Sequence, residues 1–101
     1  MVNKVKEFHE AFKVVNNETP QLIQDSQLRF DLMKEENDEY KKACEEGNLV
    51  EILDAVVDMQ YILNGTILRH GLQHVFADAF NEVHRSNMSK LDENGQPIYR
   101  S

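Results

Sequence analysis

The sequence predicts an all-α fold: a four-helix antiparallel bundle in one domain, 1–101, assembled as a homo-oligomer. Three observations carry that expectation. Apolar residues recur at helical spacing in four separate stretches, with no persuasive strand pattern between them. Turn formers, caps and glycines separate the stretches, and the chain holds no repeat or low-complexity run. One stretch, Leu49 to Leu68 (LVEILDAVVDMQYILNGTIL), is apolar almost all the way round, the colouring of a helix covered on nearly every side. So much apolar surface in so short a chain makes a homodimer or homotetramer the expected assembly.

Val2 to Val15 sets Val5, Phe8, Phe12 and Val15 on one face of a first amphipathic helix. Asn16-Asn17-Glu18-Thr19-Pro20 breaks it. A second helix begins either at Thr19-Pro20, with Thr as N-cap and Pro at the first helical position, or at Asp25-Ser26. Its apolar positions Leu28, Leu32 and Met33 run into Glu35, Glu36 and Glu39. Glu45-Glu46-Gly47-Asn48 ends it, with glycine just past the helix and Asn48 as the next N-cap. The long apolar helix makes about five turns at ~3.6 residues each and ends at His70-Gly71-Leu72. Val75, Phe76, Ala79, Phe80 and Val83 mark a fourth amphipathic helix. Beyond it the chain turns polar, and Asp92-Glu93-Asn94-Gly95-Gln96-Pro97 reads as a turn or loop, so that 88–101 form a polar tail.

Eleven Lys and Arg against eighteen Asp and Glu leave a net charge of −7. That balance argues against nucleic acid or an anionic membrane as partner, since both call for a basic surface. It leaves a nucleotide open, because a bound metal ion inverts the local sign. Cys44 is alone, which rules out an intrachain disulfide and points to the reducing cytoplasm. The opening residues MVNKVKEFHE lack the apolar core of a secretory signal. Leu49 to Leu68 is long enough to span a bilayer, but Glu51, Asp54 and Asp58 near its middle argue against that.

Those three acids form one stripe at i, i+3 and i+7, with no Lys or Arg between Asn48 and Leu68 to neutralise them. Carboxylates taken from water cost several kcal/mol each unless compensated, and a divalent cation is one candidate partner. On the second helix, Glu36 and Glu39 lie at i, i+3 with Glu35 about 100° round. Alone this is the pattern of a solvated face, and Lys41 and Lys42 are at hand to balance it. The tight Gly47-Asn48 turn, however, makes the two helices antiparallel neighbours. Counting outward from it sets Glu36 near the level of Asp58, and Glu39 near Asp54 or Val56. Glu51 has a competing role, because Asn48-x-x-Glu51 is also a capping-box spacing. Converging carboxylates with no Cys or clustered His select Mg²⁺ or Mn²⁺ over Zn²⁺. No Glu stands three residues before His9, His70, His74 or His84, so di-iron ligation is not expected, and each histidine reads as a surface or capping group.

With these residues in view, the chain resembles the MazG-like all-α nucleoside triphosphate pyrophosphohydrolases, in particular a small phage-type branch. The resemblance rests on Glu35-Glu36-x-x-Glu39 followed by Glu51-x-x-Asp54, and on DAVVDMQYILNGTILRHGL and FNEVHRSNMSK; it runs from about Arg29 to Tyr99. It implies Mg²⁺-dependent hydrolysis of an NTP or dNTP between its α and β phosphates, giving a monophosphate and pyrophosphate. It implies metal ligation by Glu36, Glu39, Glu51 and Asp54, with Asp58 as ligand or supporting group. Glu35, the first acid of the motif, would serve a further metal or, with Glu36, help activate the attacking water. Arg85, Lys90 and Asn87 would bind phosphate or sugar, although a basic helix end is also favoured by the helix dipole. Arg29, about two turns before Glu36, would face the same site or lie exposed. Phe8, Phe12, Tyr61 and Phe80 are loose candidates for base stacking, or simply core. The expected role is clearance of unwanted nucleotides. The alternatives are phosphoribosyl-ATP pyrophosphohydrolysis, against which the Arg85–Lys90 segment weighs, and a non-catalytic helical module that senses nucleotides.

Overall fold

The computed structural model describes residues 1–98; Tyr99, where the resemblance ends, lies outside the described residues. Four helices follow in order: α1 (Val2–Ala11), α2 (Ser26–Glu45), α3 (Leu49–Arg69) and α4 (Phe76–Met88). Among the described residues there is no sheet, only an isolated antiparallel bridge between Leu91 and Pro97. Asp92 builds the turn between them, its Oδ1 accepting from the backbone N–H groups of Asn94 and Gln96. None of the described helices is long and apolar enough to cross a membrane.

α1 stops a turn short of the expected Val15. Lys13 adopts a left-handed φ of 60°, and the Val14 N–H reaches back to the His9 carbonyl at 2.8 Å. That closure is usually written with glycine, so a lysine there hides the stop. α2 takes the later of its two possible starts. Asp25 occupies the N-cap position without capping, because its carboxylate is committed to the Arg69 guanidinium of α3. The Thr19-Pro20 segment instead runs across the end of α3, with Asn17 N–H on the Leu68 carbonyl and Gln21 N–H on the His70 carbonyl, both at 2.9 Å.

The α2–α3 turn forms as expected. Gly47 sits at φ 65°, Asn48 N–H returns to the Ala43 carbonyl at 3.1 Å, and Asn48 Oδ1 accepts from Glu51 N–H at 3.1 Å. Glycine is needed there for its backbone alone. At the far end of α3, Gly71 (φ 67°) is needed twice over, because a Cβ would stand 2.1 Å from the Thr19 carbonyl oxygen.

α2 packs along α3 and α1 packs against α3, while α4 leaves the Gly71 turn and packs extensively on none of them. The apolar core is small: Val5, Ala43, Ala55, Ile67 and Leu68. A buried polar node joins the three packed helices. Arg29 of α2 donates to the Ile62 carbonyl (3.0 Å) and to Thr66 Oγ1 (3.1 Å) on α3. The Arg29 guanidinium and the His9 imidazole of α1 both close over Gly65, where a Cβ would come within 2.7 and 3.0 Å of them.

In the single chain α3 is not covered all round: Leu49, Val50, Leu53, Val56 and Val57 remain exposed, since only α1 and α2 are there to cover it. The accessible surface is 8072 Å², against about 5,900 Å² for a compact monomer of this mass. The radius of gyration is 17.0 Å, against about 13 Å for a compact chain of this length.

Candidate functional site

Because the Gly47-Asn48 turn fixes the antiparallel register, the two acidic stripes open into one groove beside the α2–α3 contact. It has a volume of about 350 Å³ and is lined from α2 by Glu35, Glu36, Glu39, Lys42 and Ala43, and from α3 by Glu51, Asp54, Ala55 and Asp58. Glu46 and Asn48 close it at the turn. The small side chains of Ala43 and Ala55, both buried, form its floor and let the helices approach. All six acids expected at the site therefore share one groove.

The register matches the count from the turn. Burial pushes the Glu36 carboxyl above its ordinary value, and the Asp58 charge comes next, followed by Glu35, Glu39 and Asp54. Asp58 is thus the foremost acid opposing Glu36 across the helix pair. Asn48 makes only half a capping box. Its side chain caps the Glu51 N–H, but its own N–H goes to Ala43, so the Glu51 carboxylate is left to the groove.

The groove is more open than the apolar colouring of α3 suggests. Glu36 and Asp58 are half-buried, while Glu35, Glu39, Glu51 and Asp54 are exposed. The desolvation cost that made a cation one candidate partner on sequence grounds therefore falls mainly on Glu36. Among the described residues, no three His, Cys, Asp or Glu side chains are gathered in a geometry that would hold a metal ion. The donor set still suits a hard dication: carboxylate oxygens only, with burial and then the charges of Asp58, Glu35, Glu39 and Asp54 raising the Glu36 carboxyl above its ordinary value.

The four groups expected to bind substrate are not brought to the acids within the chain. Arg29 is a correction: it is 8 % exposed and spends its guanidinium on α3, so it braces the helix pair behind the groove. Arg85 pairs with Glu82 on its own helix, and Lys90 Nζ donates to Asn87 Oδ1 at 3.2 Å. Arg85, Asn87 and Lys90 are exposed at the end of α4 and do not line the groove. The stacking candidates lie elsewhere too. Phe8 packs on Phe12 and edge-on to Tyr61, and Phe80 lies beside Phe76.

Sequence reasoning missed Lys42 and Glu46 as lining residues. The signal was present, since Glu35, Glu39, Lys42 and Glu46 continue one face at steps of four, three and four residues.

Residues 5–87 match the protein family described as phosphoribosyl-ATP pyrophosphohydrolase. An uncharacterized protein of Acanthamoeba polyphaga mimivirus is 36% identical over 83 residues, which is 82% of this chain and 29% of that protein. The chain thus spans under a third of the length of that relative.

Proposed function

The chain belongs to the phosphoribosyl-ATP pyrophosphohydrolase family, and from that premise we propose that it is a Mg²⁺-dependent nucleoside triphosphate pyrophosphohydrolase, cleaving NTP or dNTP to monophosphate and pyrophosphate. The observation that carries the reading is the single groove in which acids of α2 face acids of α3. In the proposed site Glu36, Glu39, Glu51 and Asp54 hold Mg²⁺, or Mn²⁺, with Asp58 supporting Glu36 from the opposite helix. The bound ion supplies Lewis-acid activation of water and neutralises charge developing on the phosphates. Glu35, on the exposed edge of the groove, accepts the proton of the attacking water. Lys42, the cation lining the groove, sets a phosphate oxygen against the otherwise negative wall.

A homodimer or homotetramer completes the proposal. The chain's surface exceeds that of a compact monomer by about 2,000 Å², or about 4,000 Å² over a symmetric pair, within the range that obligate homodimer interfaces bury. Most of the exposed apolar side chains of α3 follow Leu49, Val50, Leu53 and Val57 along one strip. Pairing on that strip is the route by which Arg85, Asn87 and Lys90 of one copy would reach the groove of another.

Pyrophosphate release from a panel of NTPs, dNTPs and phosphoribosyl-ATP in the presence of Mg²⁺ tests the reading. Turnover of several triphosphates is expected, and Asp54→Asn or Glu39→Gln should abolish it with helicity retained. The family's description favours a second reading, in which phosphoribosyl-ATP alone is turned over. Tight Mg²⁺-dependent nucleotide binding without turnover would leave a sensor. Full activity in both variants would remove the metal assignment.

A further inference from the structure

Glu36 is suspended between two fixed points of the α2–α3 pair. On α2, Arg29 stands seven residues before it and Ala43 seven residues after it, which puts all three on one face, ~10 Å apart along the axis. On α3, Asp58 lies between Ala55, three residues earlier, and Ile62, four residues later. Toward the turn, the buried alanines let the helices close up. On the other side the joint is Arg29, whose Nε donates to Thr66 Oγ1 at 3.1 Å and whose Nη2 donates to the Ile62 carbonyl at 3.0 Å. Thr66 Oγ1 itself donates to that carbonyl at 2.9 Å, which leaves its lone pairs for the guanidinium.

A buried guanidinium is a costly way to join two helices. Arg29 is almost fully buried, and among the described residues no carboxylate pairs with it, since Asp25 is taken by Arg69. An apolar side chain of similar size would fill the space at lower cost. What such a side chain lacks is direction, whereas the planar fork holds two acceptors in one geometry. The surroundings keep the fork in place. Gly65 offers no Cβ, which would stand 2.7 Å from Arg29 Nη2 and 3.0 Å from His9 Nε2. From α1 the buried His9 ring closes over the same glycine, held by its Nδ1–H on Asn16 Oδ1 at 2.7 Å.

We propose that Arg29 is a positioning residue for the acidic groove: its clasp over Gly65 sets the separation of α2 and α3 at Glu36 and Asp58, and through it the groove's affinity for a divalent cation. The inference rests on the metal reading of that groove. A ligand set works only when held to within about 0.5 Å of its geometry. Glu36 and Asp58 are held by a joint on each side, and losing Arg29 leaves one. The sign of the effect separates this role from that of a nearby charge. Arg29 lies roughly one screening length, about 10 Å, from Glu36, so removing its positive charge alone would tighten cation binding slightly. Releasing the clasp weakens it.

The test is Mn²⁺ binding to the full chain without nucleotide, followed by EPR of the free ion well below Tm. Arg29→Met and Gly65→Ala should each weaken binding about tenfold or more, the loss typical of groups that orient metal ligands from behind. Gly65→Ala alters no charge. Arg29→Lys keeps the charge and one of the two hydrogen bonds, so it should fall between the parent and Arg29→Met; it decides the matter if the other two fail to fold by circular dichroism. Gly71→Ala, which costs stability at the far end of α3, should leave the affinity unchanged. The inference is overturned if Arg29→Met and Gly65→Ala bind Mn²⁺ as the parent does, if Arg29→Met binds more tightly, or if Gly71→Ala weakens binding as much as they do. A parent chain that binds no Mn²⁺ sinks the metal reading and the inference with it, whereas binding that persists in the variants sinks the inference alone.

Discussion

Gly47 and Gly71 end α2 and α3 with nearly the same backbone, φ 65° and 67°, yet alanine should affect them very differently. At Gly47 an added Cβ meets nothing within 4 Å, so only the left-handed conformation is penalised, by about 1 kcal/mol. At Gly71 the same penalty applies, and the Cβ would also lie 2.1 Å from the Thr19 oxygen and 2.6 Å from its carbonyl carbon. Ordinary contact begins at 3.4 Å, so Thr19 must retreat by more than an ångström. It is flanked by the Asn17–Leu68 and Gln21–His70 backbone bonds, and losing both adds about 2 kcal/mol. For a domain of this size each kcal/mol is worth about 4–8 °C in Tm. Gly47→Ala should therefore lower Tm by about 4–8 °C and Gly71→Ala by about 12–24 °C, followed by circular dichroism at equal chain concentration. Equal losses in the two variants would refute the packing of the 17–21 segment on the end of α3.

Three further outcomes follow from the same structure. The Glu36 carboxyl is raised by burial and by Asp58, Glu35, Glu39 and Asp54, so its native-state contribution is fully present below the unfolded pKa of about 4.3 and is lost as pH rises through the folded one. In EDTA, Glu36→Gln should then raise Tm at pH 8 and leave it nearly unchanged at pH 4, and a gain that grows on acidification would contradict the convergence of acids. The Arg69 guanidinium beside Asp25 holds that carboxyl below its ordinary value, so its stabilisation is present above the unfolded pKa and fades as pH falls through the folded one. Because Asp25 is partly exposed, Asp25→Asn should cost only about 1 kcal/mol at pH 7, measured by urea titration, and still less in acid. Leu53→Glu, on the exposed strip of α3, should shift the chain toward monomer in light scattering while preserving its helix content; an unchanged mass would place any interface elsewhere.

Periodicity and caps made the helices legible. The α2–α3 hairpin followed from Gly47 and Asn48, and its register from counting, which set Glu36 against Asp58 before any coordinates. Legibility failed where tertiary contacts outweigh local signals. Nothing local marks Lys13 as a left-handed helix stop, and Asp25 reads as an ordinary cap until Arg69 claims its carboxylate. Arg29 looked like a cation in search of a phosphate, because only the folded pair shows that Gly65 clears a berth for it. Burial was the hardest quantity to read. An apolar sequence says that a face needs covering and is silent on which residues the same chain covers, so the exposed strip of α3 is visible only in the folded chain.

The turn at Gly47 is sterically permissive yet numerically strict. A Cβ there meets nothing, so extra chain would fit without a clash. Adding a single residue, however, would advance the phase of α3 by about 100° and replace Glu51, Asp54 and Asp58 in the groove with Val50, Leu53 and Val57. Because α3 is apolar on those sides too, the slipped hairpin would still find greasy surface to pair with. Lengthening this corner by one is thus a way to silence the groove while leaving the helices standing, and only additions that restore the phase would spare it.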